Sequence, residues 1–152
     1  MEELRKNLVA NTLEWQKEYG VAPAILSAIS EYDAAIKVVE MKEKEYSDYM
    51  QDKSAVNKGF DFEYNKKKYQ IKATRPSGKG RCKVWKAMNK LKNTKFDYIL
   101  WLNYDENYKL KEAYQYERED FISRFENKSY ISPTDMRKGK LLYKKQENNG
   151  GA

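Results

Sequence analysis

The sequence predicts an α/β domain built on a small mixed β-sheet flanked by helices. Three observations predict it. Apolar residues recur at helical spacing before Met41, the period changes to two between Gly59 and Thr74, and FDYILWLNY at Phe96–Tyr104 is the most apolar run in the chain. A chain of 152 residues has room for one domain with one core. We expect that domain over residues 1–146, centred on about 24–119, with a flexible tail at 147–152.

Residues from about Glu2 to Tyr19 read as an amphipathic helix with Leu4, Leu8, Leu13 and Trp15 as its apolar positions. Gly20 and Pro23 punctuate the chain. A second helix follows, in which Ile25, Ile29, Tyr32, Ile36 and Val39 form one stripe. Ala24, Ala28 and Ala35 lie beside it, interrupted by Glu31, a carboxylate that there needs a partner or an escape to solvent. Met41–Asn57 is highly charged and reads as loop or frayed helix.

In Gly59–Tyr64 the aromatics Phe60, Phe62 and Tyr64 alternate with Asp61 and Glu63. In Tyr69–Thr74, Tyr69, Ile71 and Ala73 alternate with Gln70, Lys72 and Thr74. These are two half-buried strands of a hairpin. A four-residue Asn65–Lys68 turn would set Glu63 opposite Gln70, Phe62 opposite Ile71 and Asp61 opposite Lys72, with the polar members on one face. Arg75–Gly80 reads as a loop and about Arg81–Lys92 as a helix. Phe96–Tyr104 is expected as a buried central strand, Leu110–Tyr116 as the next and Asp120–Phe125 as a short helix. The remainder reads as less regular.

Composition excludes much chemistry. There is no histidine and one cysteine, Cys82. Serine–histidine triads, cysteine–histidine pairs and the usual zinc sites are therefore impossible, and no internal disulfide can form. Hydrolysis would have to run on carboxylates, amides, lysine and a hard cation. The N-terminal residues carry no apolar leader run and no stretch is long and apolar enough for a membrane span, so a cytoplasmic protein is expected.

The formal charge of +7 is concentrated. Tyr64–Phe96 holds twelve Lys and Arg and no Asp or Glu, which leaves 18 basic and 23 acidic residues elsewhere. Counterion release favours placing such a segment on a polyphosphate. A lysine-rich solvated face and an acidic protein partner are the other readings. The expected backbone contacts are Lys66, Lys67, Lys68, Lys83 and Lys86, with Thr74, Arg75, Ser77, Lys79 and Arg81 where the chain leaves the hairpin. Pro76–Gly80 lacks the spacing of a nucleotide-binding phosphate loop. Trp85 and Trp101 are expected in the core.

Phosphodiester hydrolysis without histidine needs a divalent cation to activate water and neutralise phosphate charge. Magnesium takes oxygen ligands, and one or two carboxylates suffice. The hairpin offers Asp61, Glu63, Gln70 and Lys72 on one face, and the helix adds Glu31. Asp61, followed nine positions on by Gln70-Ile71-Lys72, resembles the active-site hairpin of the PD-(D/E)XK nuclease superfamily, the restriction-endonuclease-like fold. The order of elements from about Ala24 to Glu119 is similar too. The resemblance implies Asp61 as the principal metal ligand, Gln70 in the usual Asp or Glu place, the Ile71 carbonyl as a further ligand, Lys72 as the catalytic lysine and Glu31 as the helix glutamate some members add. Phe60 stands where the family often has Pro, and Gln70 brings no charge.

The expected activity is that of a DNA endonuclease using Mg2+ or Mn2+, as a restriction enzyme, homing endonuclease or junction resolvase. It would act as a homo-oligomer, dimer or tetramer, because one site cuts one strand. A DNA-binding module of the same fold, its metal site impaired by Gln70, is the alternative.

Overall fold

The computed structural model describes residues 2–52, 59–76, 83–85 and 95–146. It is a mixed α/β domain. Helix α1 covers Glu2–Tyr19 and α2 Leu26–Asp33, which runs on through a π-helical turn, Ala34–Val38. A third helix, α3, covers Glu43–Asp52. Strands β1 (Phe62–Tyr64), β2 (Lys67–Thr74), β3 (Tyr98–Tyr104), β4 (Leu110–Glu117) and β5 (Lys140–Lys144) form one sheet in that order. Helices α4 (Arg118–Phe125) and α5 (Pro133–Met136) separate β4 from β5. The β2–β3 pair is parallel and the other three are antiparallel. No helix among the described residues is long and apolar enough to cross a membrane.

Strand β3 is the middle strand and is buried on both faces, as its unbroken apolar run dictates. On one face Leu100, Leu102 and Tyr104 meet Ile71, Phe62 and the α2 residues Ile29, Ala34 and Ala35. On the other, Ile99 and Trp101 meet Trp85, Phe121, Phe125, Ile131 and Met136. Trp101 is fully buried and Trp85 nearly so, as expected of core residues.

Five sequence expectations need correction. The hairpin turn is two residues, not four: Asn65 (φ 50°) and Lys66 (φ 63°) both adopt the left-handed region that a type I′ turn demands. The register is consequently Phe62 opposite Tyr69, Glu63 opposite Lys68 and Tyr64 opposite Lys67. A slip of two preserves the faces of β2, so Gln70 and Lys72 still share one side, while Asp61 stands at a bend just before β1, outside the ladder. The charged stretch after Met41 contains the regular helix α3, which packs Tyr46 edge-on against Tyr32 and Phe62. The expected Arg81–Lys92 helix falls mostly outside the described residues. Its described part is not helical, since Trp85 pairs with Ile131 in an isolated antiparallel bridge. The C-terminal remainder folds into α5 and β5, and Gly139 between them lies so close to the Gln115 carbonyl that a Cβ would stand 2.7 Å from it.

The fifth correction concerns α1. Leu4, Leu8 and Trp15 are exposed, while Arg5, Val9, Thr12, Leu13 and Gln16 turn inward. A buried carboxylate decides the face. Asp33 accepts from Arg5 Nε and Nη2 at 2.7 Å each and from the Tyr104 hydroxyl at 2.7 Å, and the same guanidinium donates to the Tyr108 carbonyl. An uncompensated buried charge costs more than the leucines would gain.

Candidate functional site

The site lies where the sheet is incomplete. Strand β1 has three residues, and its ladder with β2 ends at the Phe62–Tyr69 pair. Beyond it, Gln70–Thr74 of β2 face an edge that no strand covers among the described residues. A side chain takes over there: Asp61 Oδ2 accepts the Ile71 N–H at 2.6 Å and the Gln70 carboxamide at 3.0 Å. Helix α2 crosses the opposite face of β2 and reaches this edge. A pocket of about 250 Å3 forms between them, with Ser27, Ser30 and Glu31 on the helix side and Asp61, Gln70, Ile71 and Lys72 on the strand side. The residues expected from the sequence to act together, Asp61, Gln70, Ile71, Lys72 and Glu31, all line it.

Lys72 projects from the face of β2 that also carries Trp85. Its ammonium lies 4.3 Å from the centre of the Trp85 ring. Burial lowers the Lys72 pKa below the ordinary lysine value, and the Asp61 carboxylate pushes it partly back. A lysine so placed gives up its proton more readily than a solvated one. Tyr46 is pushed up to about 12 by burial first and then by the carboxylates of Glu31, Asp61 and Asp33.

A hard cation suits the donor set. The Asp61 carboxylate and the Ile71 carbonyl converge on the Gln70 Nε2 group, at 3.0 and 3.4 Å. Turned about its last torsion, that carboxamide would offer an oxygen in the same place. Glu31 supplies a second carboxylate to the pocket. Among the described residues no group of three or more Asp, Glu or Cys side chains comes together. Any cation here would therefore depend on the amide and the backbone carbonyl as well. Glu63 stands across the hairpin from Lys68 rather than in the pocket.

The expected backbone contacts divide. Lys66, Lys67 and Lys83 are exposed. Lys68 is half-buried, with its ammonium 5.3 Å from the Phe60 ring centre. Arg75 is tied down: it donates to the Glu106 carbonyl and to Gln16 and stacks on Tyr108 at 4.2 Å. Thr74 is a correction. It is 6% exposed, and its hydroxyl accepts from the Trp101 indole at 3.0 Å and lies 3.1 Å from Asn103 Oδ1, so it serves the interior rather than a ligand. Ser77, Lys79, Arg81 and Lys86 lie outside the described residues.

Sequence reasoning missed Ser27 and Ser30, although a one-turn spacing before Glu31 on a helix could have flagged Ser27. It also missed the Lys72–Trp85 contact, which no local spacing announces. Fold and site together define an α/β sheet domain with a carboxylate, amide and lysine pocket at an open strand edge. No protein-family model matches the sequence, and no curated protein matches it.

Proposed function

We propose that the chain is a metal-dependent endonuclease that hydrolyses phosphodiester bonds in DNA. The observation that carries this reading is the convergence of Asp61, Gln70, the Ile71 carbonyl, Lys72 and Glu31 on one pocket at an open strand edge. Asp61, the Ile71 carbonyl and Glu31 would hold Mg2+ or Mn2+, with the Gln70 oxygen completing the set. The cation supplies Lewis-acid activation of water and neutralises charge on the phosphate. Lys72, its proton affinity reduced by burial, holds and orients the attacking water beside Asp61. Lys66, Lys67 and Lys83 supply exposed positive charge for the DNA backbone. We place the protein in the cytoplasm, working as a homo-oligomer so that two sites can address two strands.

The decisive experiment incubates the purified chain with long duplex and branched DNA, with Mg2+ and with EDTA. Magnesium-dependent fragments are expected. Intact DNA across a broad panel, with retarded mobility that EDTA does not change, would overturn the enzyme in favour of a binding module.

One observation favours that second reading. The Gln70 amide donates to both Asp61 and Ile71, placing a neutral donor group between the two oxygens a cation would take. Gln70→Glu separates the readings. As a ligand position it should tighten Mg2+ binding about tenfold or more, since a carboxylate replaces an amide and ligand charge tunes affinity. No change in the Mg2+ concentration for half-maximal cleavage would remove Gln70 from the ligand set.

A further inference from the structure

Strand β5 closes the far side of the sheet, and its chemistry is one-sided. Residues 137–145 hold five basic side chains and no Asp or Glu. Arg137 is engaged with Glu112 at 2.6 Å and leans over Trp101. Lys138, Lys140, Lys144 and Lys145 are all exposed. Among the described residues none of these four is in an ion pair. Lys111, also exposed, joins them, because the Lys145 N–H donates to its carbonyl at 2.8 Å across the sheet. An edge strand needs charge to resist pairing with another chain, but charge of either sign would serve. Crowded cations of one sign destabilise the free protein and suit a polyanion.

The register ties this edge to the candidate site. Thr74, Asn103, Glu112 and Lys144 pair in succession across β2, β3, β4 and β5, two positions beyond the row that begins with Lys72. Three strand spacings separate β5 from β2, about 14 Å. That is the rise of about four nucleotides along one strand of B-DNA.

We propose that the β5 edge, Lys140, Lys144 and Lys145 with Lys111, is a second contact surface for the DNA backbone, engaging phosphates about four nucleotides from the bond at the pocket. The inference rests on the nuclease reading for the identity of the polyanion, and its test does not need catalysis.

The test measures binding of the full chain to a fluorescent 30-base-pair duplex in EDTA, as a function of salt. A triple variant, Lys140→Gln, Lys144→Gln and Lys145→Gln, is compared with Lys6→Gln, Lys17→Gln and Lys42→Gln, which removes the same charge from exposed lysines of α1 and of the segment before α3. The β5 variant should lower the magnitude of the slope of log affinity against log salt by about 3, one for each phosphate contact, while the control leaves it nearly unchanged. Light scattering checks that neither variant aggregates. Equal effects from both triples would reduce the edge to net charge and overturn the proposal. A β5 variant that retains the wild-type slope, or aggregates with its slope intact, would assign the lysines to edge protection alone and leave the nuclease reading standing. A wild-type chain that does not bind the duplex at low salt would overturn both. A chain that binds in EDTA but never cuts with Mg2+ would overturn the enzyme and leave the surface.

Discussion

Asp33 ends α2 and Asp61 lines the pocket beside that helix, and their surroundings differ in kind. Asp33 is fully buried, and its two oxygens receive a bidentate guanidinium and a phenol; Lys37 stands 3.7 Å away. Every element of that cluster pins another: α1 through Arg5, β3 through Tyr104 and the β3–β4 loop through Tyr108. Tyr104 is pushed far above the ordinary phenol range by burial first and then by Asp33, so it stays a donor at any working pH. Asp61 lies in a half-open pocket, where it receives a backbone N–H and a carboxamide and has a lysine of reduced proton affinity for a neighbour. One carboxylate is neutralised to hold the fold. The other is held in position beside groups suited to a ligand. The contrast teaches that positions of carboxylates in the sequence mean little until their partners are known.

The same chemical change at both positions breaks the comparison open. Asp33→Asn removes the charge that compensates Arg5, and loss of one partner from a buried pair costs about 3–5 kcal/mol. For a chain this size the melting temperature should fall by roughly 6–20 °C. Calorimetry measures it. Asp61→Asn keeps an oxygen to accept from Ile71, so stability should move by less than about 1 kcal/mol. Cleavage, in the proposed enzyme, should fall about a thousandfold or more, equivalent to about 4 kcal/mol in the barrier. A large drop in melting temperature for Asp61→Asn, matching that of Asp33→Asn, would make both carboxylates structural.

Lys72→Met sharpens the contrast by a smaller amount. Methionine keeps the stem over Trp85 and removes a half-buried charge. Stability should rise by about 0.5–1.5 kcal/mol while cleavage is lost, the trade expected of a functional group held at some cost to the fold. The sign has a pH signature. A lysine whose folded pKa is lowered binds its proton more tightly in the unfolded chain. The penalty is then fully present below the folded value and relieved as pH rises toward the ordinary 10.5. The gap between variant and wild type should therefore close at high pH in denaturant titrations. A variant less stable than wild type at neutral pH would mean that attraction to Asp61 and the indole outweighs desolvation, and that Lys72 is structural.

The fold was legible where periodicity is strong. The alternation of Phe60–Tyr64 and Tyr69–Thr74 and the apolar run of β3 predicted three of the five strands, and the β4 pattern a fourth. Strand β5 was not legible, because KLLYK lies between lysines and joins the sheet through a register shift at Ala113–Tyr114. The face of α1 was misread because leucines were weighed and Arg5 was not; the choice belongs to Asp33, 28 residues away. At the site, Gln70 and Lys72 could be grouped because alternation places them on one face even when the turn is misjudged by two residues; Asp61 joins them from a bend before β1, through its bonds to the Ile71 N–H and the Gln70 carboxamide. Trp85 and Tyr46 reach the same neighbourhood from elements whose placement depends on tertiary packing, which spacing does not encode.

Asp135 offers an intermediate case and the smallest expected effect. It is buried, like Asp33, but its partners are local: the Ser132 N–H and hydroxyl close a capping box at the start of α5, and Lys128 reaches both oxygens at 2.8 Å. Burial alone would raise its pKa; the Lys128 ammonium and the Ser132 N–H outweigh burial and bring it below the ordinary 3.8. A depressed carboxyl stabilises the fold above the unfolded value and loses that contribution as pH falls through the folded one. Asp135→Asn should therefore cost about 1 kcal/mol at neutral pH, the usual worth of a helix cap. The difference from wild type should shrink as pH is taken below 3.8 in thermal unfolding scans. Lys128 is half exposed, so Lys128→Ala should cost much less than Asp135→Asn. If the two substitutions cost the same, the ion pair rather than the cap holds α5, and Asp135 would belong with Asp33 as a charge secured by another charge.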